Sequence, residues 1–367
     1  MKIFTLSLVL STLFQTIGFT QLDTISSFKF QQILDKSINN RSVFGTQVSI
    51  CSEKEVWTGA SGNLNPASSF FIASTTKLYL TAVILNYRSR GILALEDTLG
   101  KYVSPSLLKG LHVFQGKEYS HEITIRHLLA HTSGLPDYFL GKLPNGNSLY
   151  DELTKGNDQS WDVAKAIQLS KTMQPLFAPG TPGKANYSDA NFQLLQAIIE
   201  KISGKKLEEV FQTVIYKPLG LAKTYIYSDS TDKIPELMYY KNQPLSIPKA
   251  MTSFQGDGGI VSNSNELLVF LKAFFEGKLF PIAYIEEMKI FNPIMFPLEN
   301  GVGMMRFKLP RLFSPFKAIP ECYGHSGLSG AFAFYCPEKE IFITGTVNQI
   351  SQPQLSYKLM LKLLMTL

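Results

Sequence analysis

The sequence predicts an α/β fold of the α+β kind: an antiparallel sheet built from both chain ends, covered by terminal helices, with a mostly helical subdomain inserted. Three observations point there. Strand patterns occur at residues 47–51 and 56–60 and return at 323–326, 331–336 and 341–347. Amphipathic helical patterns open the chain after its first twenty residues and close it at the other end. The stretch between, 81–249, reads as helix and long loop. Residues 22–80 and 250–367 are thus expected to form the sheet subdomain and 81–249 the helical one. Together they make one unit with a cleft between its parts.

Taken in order, Lys2 precedes an apolar run over residues 3–14, with small Thr16 and Gly18 at a cleavage-like distance. Residues 1–20 therefore read as a secretory signal peptide, too short to span a bilayer, with a buried first helix or a retained anchor as the alternative. Export to the periplasm or the medium follows. No Cys stands near the cleavage region, and no later segment is apolar enough to be transmembrane. Phe30, Ile33, Leu34 and Ile38 mark the first amphipathic helix. Two strands flank the polar turn Ser52-Glu53-Lys54-Glu55, and Gly59, Gly62 and Pro66 break the pattern.

From Ser74 to about Arg88 the helix is apolar nearly all round, which places it inside the protein. Further helices carry Leu194, Leu195, Ile198 and Ile199, ended by Gly204, and residues 207–215 before Pro218. Ile260-Val261 leads through Asn263, with Glu266 three residues on, into a helix with Leu267, Leu268, Leu271 and Phe274. A three-strand meander then turns at Ser329-Gly330 and at residues 337–340. The last helix points Tyr357, Met360, Leu361 and Leu364 inward and Lys358 and Lys362 outward.

The chain of 367 residues is 45% hydrophobic and 17% charged, as expected of a globular protein with a substantial core. Its net charge of +6 is scattered, with no basic run or recognition module, so nucleic-acid binding is not expected. Three cysteines make no disulfide framework. Cys322 and Cys336 flank a hairpin turn, where a bridge and two buried thiols are both open, and Cys51 has no evident partner. No Cys/His cluster suggests zinc. His127 and His131 have metal-ligand spacing but lack the acid of H-E-x-x-H, and hydrogen bonding is the preferred role. No metal or cofactor is expected.

Chemistry centres on Ser74 and Lys77. S-x-x-K occurs seven times in the sequence, so the spacing alone says little. Only Ser74 opens a buried apolar helix, after the apolar approach Phe70-Phe71-Ile72-Ala73. A helix N-terminus offers unpaired N–H groups to a developing oxyanion, and positions i and i+3 share a face. Lysine must lose about three pKa units to act as a base at neutral pH, and burial is expected to depress it. The bland alternative is an N-cap serine beside a solvated lysine. Tyr187-Ser188-Asp189 follows the loop Pro179-Gly180-Thr181-Pro182-Gly183, and His325-Ser326-Gly327 sits on a strand before a turn.

With these motifs in order, the chain resembles the serine β-lactamase and penicillin-binding-protein family. It is nearest the branch of class C β-lactamases, D-alanyl-D-alanine carboxypeptidases and esterases, for which S-x-x-K is a known signature. The phrases at residues 123–135 and 217–221 and the pair Gly258-Gly259 extend the resemblance over nearly the whole mature chain. It implies a β-lactamase/transpeptidase-like fold. It further implies Ser74 as acylated nucleophile, Lys77 as its proton acceptor and Tyr187 as second acid/base. His325, Ser326 and Gly327 would line the substrate site, His325 facing a substrate carboxylate, and Leu328 would give the second oxyanion N–H.

Two departures matter. Asp189 stands where β-lactamases usually have Asn, which can donate to a substrate carbonyl as an ionised Asp cannot. Its alternative role is a first-turn acid on the helix dipole. His325 replaces Lys and is mostly uncharged at neutral pH. Both favour a peptidase or esterase over a dedicated β-lactamase. The expected activity is D-Ala-D-Ala carboxypeptidase-like hydrolysis of D-amino-acid peptides, including peptidoglycan fragments. A broad esterase or weak β-lactamase is the alternative, and a catalytically silent penicillin- or peptide-binding protein is one of another class. Residues 145–158 and 290–312 are expected to shape the pocket. Oligomeric state is left open.

Overall fold

The computed structural model describes residues 20–21, 24–52, 55–313 and 319–367. Nearly all of the expected signal peptide, and Glu53 and Lys54 of the first turn, lie outside the described residues. The elements that set the architecture are α1 (Thr24–Ser37), β1 (Gly45–Ser52), β2 (Glu55–Gly62), α2 (Thr76–Ser89), α3 (Asp189–Ser203) and α4 (Ser264–Phe275), followed by β3 (Asn292–Met295), β4 (Leu298–Asn300), β5 (Met305–Phe307), β6 (Cys322–Ser326), β7 (Ala331–Cys336), β8 (Ile341–Thr346) and α5 (Gln354–Leu364).

Among the described residues, one nine-stranded sheet runs Thr20–Gln21, β2, β1, β8, β7, β6, β5, β4, β3. Every pairing is antiparallel except that of Thr20–Gln21 with β2. Strands from the two ends of the chain meet where Val48 faces Gly345 and Ile50 faces Ile343. β1 is buried on both faces because it is central, and the two-residue period sorts its side chains. Val48 and Ile50 join Phe30, Leu34, Phe332, Phe334, Met360 and Leu363 in a core roofed by α1 and α5. Gln47 and Ser49 face the other way. Gln47 Oε1 accepts from the Ser264 N–H at 2.7 Å, fixing the start of α4 on the opposite face.

The terminal helices cover the sheet as expected, with small shifts. On α5, Leu359 and Leu363 are fully inside, while Leu361 is half-buried, so the buried stripe sits slightly off the expected one. Three strands, β3 to β5, occupy part of the stretch read as pocket-shaping loop. Ile260–Ser262, which contains the Ile260-Val261 pair ahead of Asn263, is a strand that pairs with Phe70–Phe71 and Tyr225–Ile226 in a separate three-stranded sheet. Asn263 caps α4 by accepting from the Glu266 N–H at 2.9 Å. Cys322 and Cys336 form a disulfide across β6 and β7. Cys51 is reduced and buried. No helix among the described residues is long and apolar enough to cross a membrane.

Candidate active site

Ser74 lies in a tight turn, Ala73–Thr75, immediately before α2. The turn is strained: Ala73 has φ +44°, a left-handed conformation that alanine rarely adopts. Several contacts hold it. The Ile72 N–H donates to Ile260 O at 3.0 Å, joining the turn to the small sheet. The Ser329 hydroxyl donates to Phe71 O at 2.7 Å, tying the β6–β7 turn to the same segment. A Cβ on Gly327 would lie 2.3 Å from Ile72 O, so only glycine permits this approach. Leu328 and Ser74 consequently line one cavity.

Lys77 is wholly buried on α2. Its ammonium donates to Ser74 Oγ at 3.2 Å and to Asp257 O at 2.6 Å, and pairs with Asp189 Oδ1 at 2.6 Å. It also lies over the rings of Tyr187 and Phe192, 5.1 and 5.4 Å from their centroids. Burial alone pushes the amine down, as the sequence suggested. The Asp189 carboxylate, with Tyr187 and Asp257 behind it, outweighs burial and holds Lys77 above its ordinary range. The expectation of a depressed lysine is therefore corrected: the resting site contains an ammonium–carboxylate pair.

Asp189 is the other half of that pair. The carboxylate opens α3 as a first-turn acid, is the counter-ion of Lys77 and also lines the cavity. Its backbone N–H donates to Asp137 Oδ1 at 3.2 Å. A third acid, Asp257, accepts from the Tyr138 hydroxyl at 2.7 Å and from Gln193 Nε2 at 3.1 Å. Burial, then the charge of Asp189, pushes Asp137 and Asp257 above the usual carboxylate range. One ammonium thus faces three carboxyl groups, two of which hold their protons more tightly than usual.

Tyr187 precedes α3 and is aimed by His131. Their rings stack at 4.4 Å, and His131 Nδ1 accepts from the Ser188 N–H at 3.1 Å and from Asn191 Nδ2 at 3.0 Å. Two donors on Nδ1 require the neutral ring with its proton on Nε2, in accord with burial pushing His131 well below its usual value. Burial raises Tyr187 above the ordinary phenol, against the opposing pull of Lys77. His127 serves in a capping box with Thr124, confirming a structural role.

His325 departs from the expectation. The residue is 2% exposed, its ring packs beside Tyr187, and it is not among the described residues lining the cavity. Burial, and then the Lys77 charge, pushes it down to about 3, so it is neutral and offers a substrate carboxylate no cation. Ser326 and Gly327 do line the cavity, and the Ser326 hydroxyl is bonded to that of Tyr357 on α5 at 2.5 Å. Tyr150 and Leu153 from one expected segment, and Met295, Leu298 and Met305 from the other, complete the wall.

A family model described as Beta-lactamase matches residues 30–358. The chain belongs to this family. Among its curated Beta-lactamase-like relatives, it is 26% identical over 261 residues to the putative penicillin-binding protein PbpX of Bacillus subtilis (strain 168), covering 70% of this chain and 58% of that protein. It is 25% identical over 325 residues to a putative D-alanyl-D-alanine carboxypeptidase of Escherichia coli O157:H7, covering 77% and 69%. The chain thus spans less than two thirds of the first relative. The solved D-stereospecific amidohydrolase from Streptomyces sp. has the same Beta-lactamase fold, with a TM-score of 0.73 at 23% identity over 90% of this chain and 97% of that one.

Sequence reasoning missed three parts of the site: the strain at Ala73, the ring of His131 under Tyr187, and the acids Asp137 and Asp257. The two acids were visible as departures from apolar surroundings, beside Leu135-Pro136 and Gly258-Gly259. Nothing local to either signalled that they converge on Lys77.

Proposed function

We propose that the chain is a serine hydrolase working through an acyl-enzyme at Ser74. The reading rests on the Ser74 hydroxyl, 3.2 Å from Lys77 Nζ in a strained turn facing a cavity shared with Leu328. In acylation, Ser74 Oγ bonds to the substrate carbonyl carbon. Lys77, in its free-amine form, takes the serine proton and becomes the ammonium that Asp189 holds, and the oxyanion forms against the N–H groups of Ser74 and Leu328. Tyr187 relays a proton to the leaving group, whose bond to the acyl carbon breaks. Water then attacks the ester by the reverse relay.

The test is turnover of an activated ester and labelling by a fluorescent penicillin, with Ser74→Ala alongside. Wild type should hydrolyse the ester and Ser74→Ala should not. Labelling without turnover of any compound would instead assign a silent binding protein.

D-amino-acid peptides remain one substrate reading, carried by relatives named as D-alanyl-D-alanine carboxypeptidases. An ester or neutral amide substrate is favoured by a specific observation. Among the described residues lining the cavity, Lys142 alone is cationic, and its amine is paired with Asp151 at 2.5 Å. A peptide ending in D-Ala-D-Ala and its C-terminal amide separate the readings, the neutral form being expected to react at least as well. The Cys322–Cys336 bridge supports export, since such bonds persist in oxidising compartments.

A further inference from the structure

The cavity over Ser74 has a volume of about 670 Å³, ample for a drug-sized ligand. Its wall is unusual in composition. Met173, Met238, Met251, Met295 and Met305 all line it, half of the ten methionines in the sequence. Methionine is flexible and polarisable, and a wall of it adapts to apolar chains of varied shape. Three further features bear on the occupant. Leu140, Leu176 and Met295 belong to the wall yet are 48%, 52% and 60% exposed, so the rim is apolar as well. Among the described residues, the ionisable acids and bases lining the cavity are the proton-retaining Asp137 and Asp257, Asp189 paired with Lys77, and Lys142 paired with Asp151. His325 lies behind the wall and neutral.

Such a lining gives a carboxylate no unpaired cation to offset its desolvation and rewards burial of methylenes. Kinetic order settles which half of the substrate occupies it. The leaving group must depart before water enters, whereas the acyl group stays on Ser74 through both steps. We propose that the cavity is an acyl-chain site, and that the substrate is a neutral ester or amide whose carbonyl carries a medium-length apolar chain along the methionine wall. This rests on the acyl-enzyme reading of Ser74.

The experiment is a series of p-nitrophenyl esters from acetate to dodecanoate, kept below their aggregation concentrations, with wild type, Ser74→Ala and Leu176→Glu. In wild type, kcat/KM should climb by up to about fourfold per methylene through the octanoate. In Leu176→Glu the octanoate-to-acetate ratio should fall about four- to fifteenfold, the equivalent of one or two methylenes. That ratio is internal to each protein, so a smaller folded fraction does not move it. The monoester of adipic acid should react at least about tenfold more slowly than the hexanoate.

Ser74-dependent turnover with a flat or falling chain series overturns the acyl-chain site alone. An unchanged ratio in Leu176→Glu, or preference for the adipate ester, does the same. Failure to hydrolyse any ester, or equal hydrolysis by Ser74→Ala, overturns the Ser74 reading and the site with it.

Discussion

Lys77 carries two opposing influences at one nitrogen: burial that expels its proton and the Asp189 carboxylate, 2.6 Å away, that retains it. Sequence spacing revealed the Ser74–Lys77 pair, because i and i+3 meet on a helix whatever surrounds them. It could not reveal the winner of the contest, which depends on an acid 112 positions away by residue number, at 189 against 77. The consequence is a specific pH dependence. A base held above its ordinary range is scarce as free amine, so wild-type kcat/KM should rise toward alkaline pH. In Asp189→Asn burial acts against weaker opposition, Lys77 falls, and the acid limb should move down by about one unit or more. A pH–rate profile reads this directly, and an unmoved limb would show that Asp189 does not control the lysine. His325 illustrates the same limit, since its position on a strand was legible but its burial behind the wall was not.

Between elements, the decisive contact is that of the β6–β7 turn with the turn bearing Ser74. Gly327 allows the two backbones to touch, and the Ser329 hydroxyl locks them. Gly327→Ala should force the strands apart by a few tenths of an ångström or more. The expected result is a loss of about a hundredfold in acylation rate with a nearly unchanged far-UV circular dichroism spectrum. Stopped-flow acylation measures it. The meander β6–β8 was legible because its strands are long, apolar and bounded by clear turns. β3 to β5 were not, because Pro293, Pro297, Gly301 and Gly303 interrupt short runs. β3, which carries Pro293, is an edge strand of the sheet, where proline is tolerated, and Pro297, Gly301 and Gly303 fall between the strands, so breakers that argue against a central strand lose their force.

At the scale of the whole molecule, the buried titratable groups around Lys77 oppose one another in stability. His131 and His325 are held neutral, while in the unfolded chain they charge below about pH 6.5. The unfolded state then binds more protons, so stability is lost on acidification, for His325 from about 6.5 down to about 3. Asp137 and Asp257 are raised, so the folded state keeps protons that the unfolded chain releases above about 3.9, and stability falls as pH rises. The two slopes offset. Tm should be nearly flat between about pH 4.5 and 6.5, and Asp257→Asn should make it climb with pH over that window. A variant profile as flat as wild type would contradict the balance.

The overall architecture was legible because strand and helix periods at both chain ends agree with one buried sheet. Convergence of residues 74, 77, 137, 187, 189 and 257 on one point was only partly so, because it arises from tertiary packing. The central claim is the nucleophile. Its most direct test is mass spectrometry of the full chain quenched during turnover of an activated ester, with peptide mapping. A single acyl group on Ser74, absent from Ser74→Ala, is the predicted result. Sustained hydrolysis with the acyl group on another residue, or undiminished in Ser74→Ala, would contradict it.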